Sequence, residues 1–219
     1  MNNNKMQVEI WSDVMCPFCY IGKRKFEKAL AQFPDQENIQ VVWKSYQLAP
    51  DMVTDTNTDI HQYLADHKGM SVDAAKELND QVIQMAAEVG LVYNFDQSVV
   101  ANSFHAHRFT HFAKQYDKQL EAEEKLFQAY FTEGKNIDDY ATLVQLGTDI
   151  GLDAELLQLA LTNGSYADDV RSDVYEAQQI GVRGVPFFVI DRKYAISGAQ
   201  ESVTFQQALE KAYTEWSEH

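Results

Sequence analysis

The chain has 219 residues, 45% of them hydrophobic with 12 Phe, 11 Tyr and 3 Trp, enough to fill one domain or one domain with a large insertion. A formal net charge of −15 argues against nucleic acid and anionic membrane surfaces as partners. No run of about 18 apolar residues is present to span a bilayer, and the start, MNNNKMQVEI, has one Lys and no apolar signal stretch, so the expected location is cytoplasmic.

Residues 7–12, QVEIWS, alternate apolar and polar and predict a strand. A helix is expected from about Cys16, with Cys19, Phe26, Ala29, Leu30 and Phe33 at helical spacing and Pro34 just beyond its end. Residues 39–46, IQVVWKSY, predict a second strand, which makes a βαβ unit with parallel strands. From about Asp59 to Ile180 the apolar spacing is helical, with breaks at Gly69, Gly90, Gly134, Gly151 and Gly164, and five or six packed helices are expected. Ser71 and Asp153 are candidate N-caps, and Leu126, Phe127, Tyr130 and Phe131 form an apolar stripe. PFFVI at 186–190 and YAIS at 194–197 predict a hairpin whose tight turn lacks the usual glycine. A last helix is expected from Ser202 to Trp216.

The two strand-bearing ends are each too small to stand alone, so they are expected to share one four-stranded sheet. The expected division is residues 1–58 and 166–219 for the two parts of that α/β unit, with 59–165 as an all-helical insertion.

Cys16 and Cys19 are the only cysteines, in the stretch MCPFCYIGK. At a helix start this spacing lets the two sulfurs meet, and the free N–H groups and dipole there favour a thiolate. Pro17 fits the first turn, where its missing N–H costs nothing. Cys16 is then the expected exposed nucleophile and Cys19 the more buried resolving thiol. A purely structural disulfide across one helical turn would stabilise little. A zinc site would need two further ligands, for which His107 and His111, at i, i+4, are the nearest candidates. Two inert buried thiols are the remaining alternative. Redox chemistry outweighs these because a CxxC lies beside a βαβ pattern, and no metal is expected. Downstream, GVRGVPFFVI sets Pro186 at the start of a strand, where a proline need not donate to the ladder. A cis Val185–Pro186 bond there would bring the chain against the Cys16 helix end and leave the Val185 backbone for an extended substrate. Four basic residues, Lys23, Arg24, Lys25 and Lys28, make either a solvated helix face or a docking spot for an anion.

SDVMCPFCYIGKRKFE, the helical block, GVRGVPFFVI, and SGAQ before the last helix together resemble the thioredoxin-like proteins of the DsbA family, over nearly the whole chain. The closer likeness is to the FrnE-like branch, related to 2-hydroxychromene-2-carboxylate isomerases and kappa-class glutathione transferases. The resemblance implies a thioredoxin-like fold with a large all-helical insertion, thiol–disulfide exchange at Cys16 and Cys19, and a cis proline at Pro186. The isomerase and transferase relatives typically carry a serine where this chain has Cys16, so the dithiol branch fits better. Thioredoxins place a buried acid six residues before the nucleophile; here that position is Ile10, and Glu9 and Asp13 are expected to point elsewhere, leaving the proton acceptor for Cys19 unassigned. A second C-terminal cysteine pair, found in some FrnE-like proteins, is absent. The segment NSFHAHRF at 102–109 resembles one that relatives place near the active-site face. It makes Asn102, His105 and Arg108 candidate substrate-binding residues beside Pro17, Phe18 and Val185.

The expected activity is therefore disulfide exchange with protein or small-molecule thiols and disulfides. No bound cofactor is expected, glutathione or another thiol is a possible co-substrate, and the oligomeric state is open between monomer and homodimer. The alternatives are a glutathione-dependent isomerase or transferase acting on a small aromatic substrate, and a non-enzymatic metal-binding or interaction module.

Overall fold

A computed structural model describes residues 5–218; residues 1–4 of the expected first part and His219 lie outside it. The elements in chain order are β1 (Met6–Ser12), α1 (Pro17–Ala31), β2 (Ile39–Ser45), α2 (Ile60–Lys68), α3 (Val72–Ala87), α4 (Phe104–Lys114), α5 (Gln119–Phe127), α6 (Tyr140–Asp149), α7 (Ala154–Thr162), α8 (Ala167–Gln179), β3 (Phe187–Ile190), β4 (Tyr194–Ser197) and α9 (Ser202–Ser217). A one-turn π-helix, Gln128–Thr132, extends α5 and buries Tyr130 and Phe131.

The strands form one mixed sheet in the order β2–β1–β3–β4. β1 runs parallel to β2, with Ser12 opposite Ser45, and antiparallel to β3, with Ile10 opposite Phe188. Alternation along β1 sends Ile10 and Ser12 to one face and Glu9 and Trp11 to the other. The first face packs on α1 and α9, where Phe188 lies 5.5 Å from Phe26 and 4.6 Å from Phe205, ring centroid to centroid. Burying each such ring contributes about 1.5–3 kcal/mol. On the second face Trp11 packs with Ala177, Val182 and Val189, and its indole N–H donates to the Asp173 carbonyl of α8 at 3.0 Å. The chain is thus an α/β protein in which the two sequence ends build one sheet around a helical insertion.

The insertion is joined to the sheet by specific contacts. Tyr20 of α1 stacks on Phe127 of α5 at 4.9 Å, and Gln119 of α5 both accepts from the Trp43 N–H and donates to its carbonyl. Ser71 and Asp153 cap α3 and α7 as expected, accepting from Ala74 and Leu156 N–H groups.

One expectation needs correction. Seven helices, α2–α8, occupy the region where five or six were expected. The unforeseen break separates α4 from α5 at Asp117, in a left-handed conformation with φ 56°; no glycine or proline marks it in the sequence. The β3–β4 turn does without glycine by placing Asp191 and Arg192 at φ 49° and 54°, as a type I′ turn requires. Ion pairs from Arg192 to Glu9 and Glu176 hold it there.

Candidate functional site

Cys16 is the N-cap of α1, in extended conformation and without a side-chain capping bond, and Pro17 follows in the first turn. The local fold has plain causes. The Cys16 N–H closes a turn onto the Asp13 carbonyl at 3.0 Å, the proline φ suits a helix start, and Cys19 falls one turn in with its N–H on the Cys16 carbonyl. Both cysteines are free thiols. Cys19 is fully buried, as expected, but Cys16 is only 4% exposed, so the expected open nucleophile is instead recessed. Its neighbour Phe18, 40% exposed, is the prominent apolar surface at this helix end. Burial and then the adjoining Cys16 sulfur push the Cys19 thiol up, while the Ser12 hydroxyl and the Asp13 backbone act in the opposite direction.

The Val185–Pro186 bond is cis, and the Val185 carbonyl accepts from the Cys16 thiol at 3.5 Å. Two ends of the chain therefore meet at one sulfur. Two residues that sequence reasoning left without a role fix this meeting. Gly22 of α1 faces the Pro186 ring: a Cβ there would lie 2.9 Å from Pro186 Cγ and 3.4 Å from Ala199 Cβ. Tyr93 of the insertion donates its hydroxyl to the Pro17 carbonyl at 2.7 Å, tying the insertion to the first turn of α1. Gly22 lies in the CYIGK run, so its spacing was visible, but the partner it accommodates lies on the far end of the chain. Nothing in the sequence singles out Tyr93.

The basic cluster on α1 is not an open anion site. Lys23 is buried and paired with Glu27 and Glu124, each at 2.5 Å. Arg24 also pairs with both acids and lies over the Tyr20 ring, and Lys25 pairs with Glu201. Although burial opposes it, hydrogen bonding from Arg24 and the charge of Lys23 hold the Glu124 carboxyl down at about 2. Lys23 and Arg24 clamp α1 to α5, and Lys25 ties it to the start of α9.

The three candidates in the insertion separate. Asn102 accepts from Gln47 and from the Phe104 N–H, and donates to the Pro50 and Met52 carbonyls, holding the loop after β2 on the start of α4. His105 lines a cavity of about 420 Å³ with Asn102, Gln47, Thr54 and Asp138, and burial lowers its basicity despite the charge of Asp138. The lining of this cavity contains neither cysteine nor Val185. Arg108 does not reach a substrate surface. It is 2% exposed, and its guanidinium is spent on the Ser165, Ala160 and Leu161 carbonyls, His105 and Tyr140. Three of its N–H bonds close onto carbonyls in and just after the last turn of α7, which is a packing role.

His107 and His111 lie on one face of α4 but face different acids. His107 Nε2 is 3.4 Å from Asp13, and His111 Nε2 is 3.0 Å from Asp173 and 3.1 Å from the Ser45 hydroxyl. Two separate acid–imidazole pairs, not a shared metal centre, account for this histidine spacing.

A family model described as a DSBA-like thioredoxin domain matches residues 7–210. A crystal structure of a protein from Streptomyces coelicolor described as a probable DsbA oxidoreductase is 40% identical, with a TM-score of 0.90, covering 96% of this chain and 91% of that one. The Bacillus subtilis protein YwbO is 29% identical over 210 residues, 93% of this chain and 96% of its own length. A 2-hydroxychromene-2-carboxylate isomerase shares the fold at 15% identity, with a TM-score of 0.71, covering 97% of this chain and 98% of that one.

Proposed function

The chain belongs to the DSBA-like thioredoxin domain family, and on that premise we propose that it is a thiol–disulfide oxidoreductase working through Cys16 and Cys19. The observation that carries this reading is the Cys16 sulfur at the α1 start, 3.5 Å from the carbonyl of Val185 in a cis Val185–Pro186 segment. Cys16 attacks one sulfur of a substrate disulfide, forming a mixed disulfide and releasing the other sulfur as a thiolate. Cys19 then attacks the Cys16 sulfur and frees the rest of the substrate, so the dithiol loses two electrons and the substrate gains them. Val185 offers main chain to an extended substrate, and Phe18 offers exposed apolar surface beside the recessed sulfur. Such a site serves protein or small-molecule disulfides in a cytoplasmic setting, with glutathione or another thiol as co-substrate restoring the pair.

The test is the free-thiol count through an oxidation and reduction cycle. Wild type should lose and regain two thiols, Cys16→Ser should neither cycle nor exchange, and Cys19→Ser should accumulate a mixed disulfide with glutathione. A wild-type chain whose Cys16 forms no reversible disulfide ends this reading. The glutathione-dependent isomerase or transferase remains the second reading, supported by the cavity beside Asn102 and His105. It calls for turnover of a small aromatic substrate with glutathione that survives Cys19→Ser.

A further inference from the structure

The resolving step needs somewhere to put a proton. Cys19 is fully buried, its burial favours the thiol, and the acid position of thioredoxins is Ile10 here. Yet three buried side chains in this region carry polar atoms without a hydrogen-bond partner among the described residues: Ser12 Oγ, His107 Nε2 and Glu123 Oε2. Buried polar atoms are nearly always satisfied, so such a concentration asks for a chemical reason.

The groups come from four places in the chain. Ser12, at the end of β1, points to the α1 face, and its hydroxyl favours the Cys19 thiolate. The Asp13 carboxylate, in the turn before α1, accepts from Leu48 N–H at 2.7 Å and faces His107 of α4 across 3.4 Å, an ion-pair distance with no aligned hydrogen bond. Burial opposes charging His107, but Asp13 and then Glu123 outweigh it and raise its affinity for a proton. Glu123 of α5 is held by burial at about 7, lowered from a still higher value by His107, Lys23 and the Thr110 hydroxyl, and raised by Asp13. Lys23 lies one turn beyond Cys19, so both project from the same face of α1. Tyr130 also feels Asp13, and the Tyr46 backbone lies beside His107. Lys23 in turn pairs with Glu27 and Glu124.

We propose that Glu123, poised by the His107–Asp13 pair, holds the proton that Cys19 gives up when it resolves the mixed disulfide, so that the helical insertion supplies the proton-handling group of the dithiol. The inference rests on the exchange reading above. In the step, the Cys19 S–H bond breaks and its sulfur bonds to Cys16. The Cys16–substrate S–S bond breaks and the substrate leaves as a thiolate. The proton passes to the Glu123 carboxylate, with the Ser12 hydroxyl beside the sulfur. The acid then returns to its resting state through solvent, and the substrate thiolate is protonated there. A holder that titrates close to working pH suits both directions of exchange. Glu123 acts through its charge and proton rather than by touching substrate. His107 and Asp13 are positioning residues.

The experiment follows the rate of Cys19 attack on a Cys16–glutathione mixed disulfide from pH 5 to 9. Wild type should show an inflection near 7, set by Glu123. Glu123→Gln should lose that inflection and resolve at least about tenfold more slowly above it. An unchanged pH profile in a folded Glu123→Gln protein overturns the proposal. Wild-type protein with ¹³C-labelled glutamate carboxyls gives a reading that needs no variant. The Glu123 midpoint should differ between the dithiol and the Cys16–Cys19 disulfide, and identical midpoints overturn the proposal. If no Cys16–Cys19 disulfide forms at all, the exchange reading itself falls, a result plainly distinct from normal exchange with an unaltered profile.

Discussion

Replacing Gly22 by alanine sets two effects of opposite sign against each other. In the interior of α1 alanine is favoured over glycine by about 0.8–1.0 kcal/mol. The added methyl would lie 2.9 Å from Pro186 Cγ, about 0.6 Å inside the ~3.5 Å at which carbon atoms begin to pack favourably. That atom belongs to a ring closed on the backbone, so relief requires the Val185–Pro186 segment or α1 to move. Overpacking of this kind costs about 1–3 kcal/mol, so Gly22→Ala should lose about 0–2 kcal/mol net. The functional effect should be larger in proportion, because displacing Pro186 carries the Val185 carbonyl away from the Cys16 thiol. Urea unfolding gives the first quantity, and the rate of exchange with oxidised glutathione gives the second. A variant stabilised by about 1 kcal/mol, as helix propensity alone dictates, with undiminished exchange would refute the argument that Gly22 exists to seat Pro186.

Glu124 makes a pH-dependent contribution whose sign is fixed by its lowered value. Because its folded value of about 2 lies below the ordinary 4.5, its stabilisation is complete above about 4.5 and is lost as pH falls toward 2. Glu124→Gln should lower stability at pH 7 by about 1–2 kcal/mol after allowance for solvent screening, and the deficit should shrink on acidification through that window. Chemical denaturation at pH 7 and pH 3 checks it, and a deficit that grows at pH 3 contradicts it. Arg108→Met should cost about 3 kcal/mol by removing the buried guanidinium's bonds to the Ser165, Ala160 and Leu161 carbonyls. It should leave the exchange rate of the folded protein unchanged, whereas a selective loss of exchange would restore Arg108 as a substrate contact.

The strands and the dithiol helix were legible because their signals are local. Alternation in QVEIWS, the β-branched run before Trp43 and the YAIS segment each determine their own structure, and β1, β2 and β4 fall within a residue of expectation. The CxxC and the Val-Pro strand start carried the core of the site for the same reason, since residue type and spacing suffice. What stayed hidden depends on partners distant in sequence. Arg108 looks like a ligand-binding cation until the end of α7 is laid beside it, and Lys23 and Arg24 look free until α5 brings Glu124. Glu123 and Glu124 are adjacent in sequence, yet one is held near 7 and the other near 2. Only the direction each faces separates them, and no pattern in the residues around them records it.

The order of the strands has a consequence for synthesis. β1 is an interior strand whose second neighbour, β3, comes from residues 187–190. While the ribosome works through the intervening helices, β1 has β2 on one side and an open edge on the other. During that interval the nascent chain already carries both thiols, but not the Val185 carbonyl that one of them engages. The assembled centre therefore appears only after residue 190 has been made. Truncated products of this gene would expose a dithiol on an incomplete sheet, chemically competent to be oxidised but without the platform that selects what it meets.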